Sequence, residues 1–495
     1  MSNELTLDQI RDFKGKYPKQ LWYLFLSEMW ERFCFYGMRG MLVIFMVDKT
    51  VGLHMNDETA NLQYGATQAF VYAFTFVGGL FADKILGFRK SLFWGGLLMI
   101  TGSCILAFDP HNFFFPGISF TIIGTGFFKP NISTMVGQLY ETNDNRTDAG
   151  FSLFYAGINI GALIGGYVCV VVAKSYSWNL AFGFAAIVMT ISLLTFLFTQ
   201  RTLGPIGLGP EIGGATIKKG YRYAVYAGSL CVIPVIVKMV SQTEYTDWFM
   251  YIIGPSTLLY ILYEMRKFSP AENKKLVAAL VFVVFSILFW AFFEQSGGSL
   301  SLFAASHLTD SVLGINLDPN GVNNSANSFF VIPFAFLLGL VWLWMSKRKI
   351  EPNTVVKFGL GFLFLAAGFY LFYYTRFFAD ANGVTSLGLF TFGWFIITFG
   401  ELCLSPIGMS IMTKLSPKPL QGVMMGMWFL ASAYGQYAAG ILGAGMSTTN
   451  ENASLAEKLI AYTDGYKQLA IYALIAGLVM IAISPFVRKL MQEVK

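Results

Sequence analysis

Seven ionisable residues stand inside stretches of the chain that are otherwise apolar: Glu28, Glu31, Arg32, Arg39, Lys129, Glu294 and Glu401. A charge at the centre of a membrane helix costs about 2.5–3.5 kcal/mol on insertion scales, so seven unpaired ones would cost on the order of 20 kcal/mol. They must pair with one another or line a wet cavity. Buried ion pairs are poor sources of stability, and apolar side chains would hold helices together better, so these residues read as working groups. Glu28, Glu31, Arg32, Tyr36 and Arg39 fall on one helical stripe, with two carboxylates a turn apart and Arg32 beside both. Such a cluster titrates as a unit, which is what coupling to protons requires; charge compensation alone would need a single Glu. Lys129 lies in Gly124-Thr125-Gly126-Phe127-Phe128-Lys129-Pro130-Asn131, a loosened helix of the kind that faces protein or water in a membrane. Glu294 follows Trp290 by one turn, and Glu401 stands in Phe399-Gly400-Glu401-Leu402-Cys403-Leu404-Ser405-Pro406. Cations and two carboxylates in the first half face lone carboxylates in the second. A zwitterion with one acidic and one basic end would fit between them.

The elements that position these groups are membrane helices. Of 495 residues, 55% are hydrophobic and 17% aromatic, while only 13% are charged, against about 25% in soluble proteins. Apolar runs near 21–48, 62–82, 91–108, 112–138, 150–173, 180–200, 222–240, 247–265, 276–304, 326–346, 357–376, 386–413, 422–446 and 468–487 predict fourteen spans. Barrel strands alternate over about ten residues, and these runs do not. With the N-terminus inside, 25 of the 34 Lys and Arg fall in inside segments and 6 in outside loops, the imbalance expected of a cytoplasmic N- and C-terminus. The first twenty residues hold charges rather than the apolar stretch of a signal peptide. The net charge of +6 is dispersed over many short loops, which argues against a nucleic-acid partner.

The Gly- and Pro-rich segment 202–220 reads as a cytoplasmic linker. The hairpin 222–265 that follows is an insertion, leaving six spans before it and six after. The predicted organisation is a six-helix bundle over 1–200, a linker with a two-helix insertion over 201–267 and a second six-helix bundle over 268–495. Large secondary transporters have this architecture, with substrate held near the midplane. The five cysteines fall inside spans and the three histidines near span ends, without metal-ligand spacing; neither disulfides nor a metal site is expected. The spans carry no Ser/His pair, HExxH, paired-Asp or Walker motif, so an enzyme or a pump is not expected. Gly157, Gly161 and Gly165 read as a helix-contact surface. The sequons at Asn131, Asn145, Asn323 and Asn452 carry no weight, Asn131 being mid-membrane.

Glu28-x-x-Glu31-Arg32-Phe33 resembles the ExxERF signature of the proton-dependent oligopeptide transporter family, a branch of the major facilitator superfamily. Phe154-Tyr155-Ala156-Gly157-Ile158-Asn159-Ile160-Gly161-Ala162-Leu163 resembles that family's FYxxINxGxL signature. Gly78-Gly79-Leu80-Phe81-Ala82-Asp83-Lys84-Ile85-Leu86-Gly87-Phe88-Arg89 resembles the loop motif of the wider superfamily. Gly124 to Asn131 and Ser405-Pro406-Ile407-Gly408 match as well, so that the motifs run in order through almost the whole chain.

The resemblance implies an all-α membrane protein of the major facilitator fold that imports di- and tripeptides with protons and needs no cofactor. Glu28, Glu31, Arg32 and Glu294 match proton-coupling positions, while Arg39, Lys129 and Tyr36 match the groups that receive the peptide carboxylate. Glu401, with Asn327 and Asn159, matches the site of the peptide amino terminus, and Tyr72 matches a pocket residue; Trp290 and Trp428 read equally as pocket walls and as packing aromatics. Arg39 with Glu294 and Lys129 with Glu401 match the two gates. One departure is Ser328, where the family often has Pro. The two-helix insertion and the short loop after Arg376 resemble prokaryotic members, implying a bacterial inner-membrane protein, bathed in lipid and working as a monomer. The alternative is a carrier of nitrate or another small metabolite, which needs cations but no amino-group acceptor; Glu401 argues against it.

Overall fold

In lipid every backbone polar group must be satisfied within the segment, so long apolar runs become helices. The computed structural model describes residues 5–141, 144–209, 211–212, 215–216, 219–404, 408–448 and 453–492, and is all-α apart from two short antiparallel pairs among those residues. Ser405, Pro406, Ile407 and Asn452 of the sequence reading lie outside the described residues. Among the described residues, ten helices are long and apolar enough to cross a membrane. Helices Lys19–Val47, Pro110–Gln138, Thr243–Glu264 and Gln421–Gly445 have spanning length too, which matches the fourteen expected. Lys19–Val47 is the most charged among them, with at least three charges in every 18-residue stretch.

Several ends differ from the sequence reading, because caps rather than hydropathy start a helix. The last span begins at Leu455 and not near 468; Ser454 and Glu457 form a capping box ahead of a polar turn. The eighth begins at Pro319 and not near 326, with Asp318 accepting from the amide of Gly321. The first insertion helix is split into Lys219–Cys231 and Ile233–Ser241 ahead of Pro234. The seventh span breaks into Pro270–Phe293, a 3-10 turn Glu294–Gly297 and Ser299–His307.

The chain forms two compact units. The first comprises Met1–Phe45, Thr50–Leu53 and Phe70–Ser241, around a core that includes Leu92, Met99, Phe128, Met189 and Phe196. Within it, Phe88–Phe108 and Pro110–Gln138 approach so closely that Gly95 and Gly124 have no room for a Cβ. Arg89 of the loop motif donates to the carbonyls of Gly204 (2.5 Å) and Ile206 (2.6 Å), pinning the linker to the start of its helix. The second unit comprises Met46–Lys49, His54–Ala69 and Gln242–Lys495. Its core is aromatic: Phe372 lies 4.8 Å from Phe390 and 6.1 Å from Trp394, and Phe303 lies 5.5 Å from Tyr466. The boundary runs through the turn of the insertion hairpin, between Ser241 and Gln242.

Candidate functional site

In the first unit, Glu28, Glu31 and Arg32 are all buried, at 1%, 0% and 1% exposure. Arg32 Nε lies 3.1 Å from Glu28 Oε1 and pairs also with Glu31 Oε2. The pairing follows from local helix geometry, since 28 and 32 are four residues apart and share a face. Two features outside the helix hold it there. Ser27 and Ser192 exchange hydrogen bonds through hydroxyl and carbonyl (3.1 and 2.6 Å), anchoring the residue just before Glu28. Gly161 packs directly against the carbonyl of Met29 and Cβ of Arg32, and Gly165 packs against Phe33. The glycines of the fifth span therefore let the charged helix come close.

The remaining residues of this unit form aromatic–cation pairs. Lys129 Nζ sits 4.5 Å from the ring centre of Tyr72, and the Arg39 guanidinium 5.8 Å from that of Tyr36. Asn159 is mostly buried, and its amide donates back to the carbonyl of Tyr155 at 2.9 Å. Asn131, next after the Lys129-Pro130 pair, donates to Ser91 Oγ (2.8 Å) and to the carbonyl of Phe127 (2.6 Å).

In the second unit, Asn327 Nδ2 donates to Glu401 Oε2 at 2.8 Å and to Thr398 Oγ1 at 3.3 Å. The pairing holds with Ser328 as the residue after Asn327. Glu294 is buried at the first residue of the 3-10 turn that interrupts its span. Trp290 is half-buried against Phe289 and Phe293, and Trp428 is buried against Gly408. Thus Arg39 and Lys129 belong to one unit and Glu294 and Glu401 to the other.

The sequence reading passed over a polar network behind Glu294. Asn323 Nδ2 donates to the carbonyl of Ser296 (2.7 Å) and to Ser301 Oγ (3.1 Å), while Trp394 Nε1 donates to Asn323 Oδ1 (3.2 Å). Gln295 adds bonds to the carbonyls of Ala291 and Ala439 and accepts from Ser299. A signal was present: Asn320, Asn323, Asn324 and Asn327 fall on one helical stripe. Hydropathy starts the span at 326 and so puts three of the four in a loop. Among the described residues, no group of three or more His, Cys, Asp or Glu is placed to hold a metal ion, and the five cysteines are free thiols.

Residues 89–459 match the family model described as the POT family. The peptide transporter YePEPT of Yersinia enterocolitica subsp. palearctica is 34% identical over 455 residues, 88% of each chain. Dipeptide and tripeptide permease A of Pectobacterium carotovorum subsp. carotovorum is 26% identical over 481 residues, 97% of this chain and 93% of that one. The crystal structure of a peptide transporter POT in complex with sulfate superposes with a TM-score of 0.84 at 30% identity, covering 98% of this chain and 99% of that one. That of a POT family transporter in complex with 5-aminolevulinic acid gives 0.83 at 28% identity, covering 97% and 100%.

Proposed function

The chain belongs to the POT family, a multi-pass membrane transporter and not an enzyme, and we propose that it imports di- and tripeptides together with protons by alternating access. The observation that carries the reading is that each of the two units holds its own intramembrane charge system. The Glu28–Arg32–Glu31 cluster and the cations Arg39 and Lys129 lie in one unit, and the hydrogen-bonded Glu401–Asn327 pair lies in the other. A peptide is a zwitterion whose two backbone termini need a cation and a carboxylate. Side chains, which vary, need only space and apolar or wet walls.

In this reading Arg39 and Lys129, with Tyr36, take the peptide carboxylate, and Glu401, with Asn327 and Asn159, takes the amino group. Tyr72, Trp290 and Trp428 wall the pocket. Glu28, Glu31, Arg32 and Glu294 couple the proton: protonating Glu31 or Glu294 releases a cation, which the substrate carboxylate then engages. Arg39–Glu294 and Lys129–Glu401 act as opposite gates, one opening while the other stays shut. Bundles over 1–200 and 268–495 rock about the site, with 201–267 between them. The protein works as a monomer in the bacterial inner membrane with both termini cytoplasmic. One proton moving down 100 mV supplies about 2.3 kcal/mol, or roughly fiftyfold accumulation.

The test is uptake of a labelled dipeptide into proteoliposomes under an imposed pH gradient and membrane potential. Wild-type protein accumulates the peptide, whereas Glu31→Gln loses concentrative uptake and keeps counterflow exchange. Absence of di- and tripeptide uptake by the wild type under any gradient refutes the substrate assignment.

A further inference from the structure

At one end of the second unit three helix termini meet: the last turn of Pro319–Lys347, the first turn of Thr354–Tyr374, and the terminal helix Ser484–Met491 that follows the span Leu455–Ala482 after a single residue. Asn353 ties two of them together. Its Oδ1 caps the amides of Val355 and Val356 (3.0 and 3.1 Å) and accepts from Ser484 Oγ (3.2 Å). Between segment 351–357 and the terminal helix lies a cleft of about 790 Å3, within the range of small-molecule sites, about 300–1,000 Å3.

The charges on this cleft are mostly positive. Lys357, Arg488 and Lys489 line it with Glu351 as the one acidic residue of the lining, and Lys347, Arg348 and Lys349 occupy the adjoining turn. Lys357 Nζ donates to Glu351 Oε1 at 2.5 Å and holds that carboxyl below the usual carboxylate range, so the pair is neutral. Arg488 and Lys489 remain, both exposed and, among the described residues, in no ion pair. Cations in the last turn of a helix complement its dipole, but that role needs neither two of them nor a cleft in front of them.

Exposed apolar residues adjoin the lining along the chain. Phe486 next to Pro485 is 62% exposed, Ile350 next to Glu351 is 55% exposed, and Trp344 is 50% exposed with Arg348 lying 4.4 Å from its ring centre. A short helix with basic and apolar faces, placed directly after a span, sits at headgroup level, and exposed Trp beside Arg marks the same interface.

We propose that the cleft between residues 351–357 and the helix Ser484–Met491 binds the phosphate headgroup of an anionic phospholipid, with Arg488 and Lys489 on the phosphate and the acyl chains along Phe486 and Ile350. A soluble phosphate would use the cations but gain nothing from the apolar rim. Each basic residue near an anionic surface contributes about 1 kcal/mol, so losing both cations weakens binding about thirtyfold.

The experiment is native mass spectrometry of the full chain in detergent, titrated with dioleoylphosphatidylglycerol or dioleoylphosphatidylcholine. The expected result is retention of phosphatidylglycerol at least tenfold above phosphatidylcholine, lost about thirtyfold in Arg488→Gln/Lys489→Gln and kept in Arg488→Lys/Lys489→Arg. Glu351→Gln, which frees Lys357, tightens binding several-fold. That gain cannot arise from misfolding. Millimolar inorganic phosphate and sn-glycerol 3-phosphate leave the lipid bound. Equal retention of the two lipids, unchanged binding in the double Gln variant, or displacement by soluble phosphate overturns the proposal; the last outcome would assign the cleft to a soluble anion.

Discussion

Asn323 donates its amide to the carbonyl of Ser296 at 2.7 Å, across the gap between the eighth span and the broken part of the seventh. The 3-10 turn Glu294–Gly297 takes that carbonyl out of the regular helical ladder, and an orphaned buried carbonyl costs about 1–3 kcal/mol. Asn323 and Ser301 Oγ (2.9 Å) supply what the helix no longer does. Trp394 in turn orients the Asn323 amide. The segment that carries Glu294 is therefore held open by a neighbouring helix rather than left slack.

Replacing Asn323 by Leu removes the donor to Ser296 and strands the buried N–H of Trp394. The expected cost is about 1–3 kcal/mol, read as a lowered thermal midpoint in detergent and slowed peptide uptake. Trp394→Phe removes one hydrogen bond and costs less, about 0.5–1.5 kcal/mol. Because the two residues share that bond, the double variant is expected to lose less than the sum of the singles; strict additivity would dissolve the network.

Glu401 and Asn327 lie 2.8 Å apart, and their proposed partner is the peptide amino group. A hydrogen bond to a charged group contributes about 1.5–3 kcal/mol, so Glu401→Gln should raise KM for a free dipeptide by about 10–150-fold. An N-acetylated dipeptide, already a poor substrate, should change little between the two proteins. Asn327→Ala should show a smaller shift of the same kind. A carrier of nitrate or another small anion would tolerate Glu401→Gln, so KM values that do not move would favour that alternative.

Gly161 has the carbonyl of Met29 and Cβ of Arg32 where its own Cβ would go. Gly161→Ala therefore overpacks the contact between the first and fifth spans, at about 1–3 kcal/mol, and displaces the Arg32 ion pairs. Gradient-driven uptake should fall with stability. Gly228 is the control: it stands inside helix Lys219–Cys231 with open space around it. Gly228→Ala should stabilise by about 0.5–1 kcal/mol through helix propensity alone. Comparing the two melting curves separates crowding from a general effect of adding a methyl.

The two halves of the insertion hairpin are held by different means, which hydrogen exchange can resolve. Helix Thr243–Glu264 is tied by Tyr437 Oη donating to Asp247 Oδ1 (2.5 Å) and Tyr434 Oη donating to the carbonyl of Met250. The first piece of the split helix before it, Lys219–Cys231, is tied by Trp94 Nε1 donating to Ser229 Oγ (3.0 Å) and by Trp94 lying 4.8 Å from the Tyr226 ring. Tyr434→Phe/Tyr437→Phe should speed amide exchange in 243–264 by about tenfold or more. Exchange in 219–231 should stay as it was; equal acceleration of both helices would mean that the hairpin opens as one piece.

Composition and charge determined by themselves that this is a polytopic helical membrane protein, because only helices and closed barrels satisfy a backbone within lipid and these long apolar runs lack the alternation of barrel strands. The ion pair of Glu28 with Arg32 was legible for the same kind of reason: a four-residue spacing on a helix is a contact. The pairing of Asn327 with Glu401 was legible through family resemblance alone, since the two are 74 positions apart and no local periodicity links them. Tertiary structure alone decided the break after Phe293 and the Asn323–Ser296–Trp394 network, while the start of the eighth span at Pro319 follows from the local cap at Asp318. Hydropathy averages over about twenty residues, and cannot register a cap, a single unwound turn or one hydrogen bond between helices. The cleft beside Arg488 and Lys489 has the same origin, because the turn before Thr354 and the distant helix Ser484–Met491 are brought together there by packing and by one shared cap at Asn353.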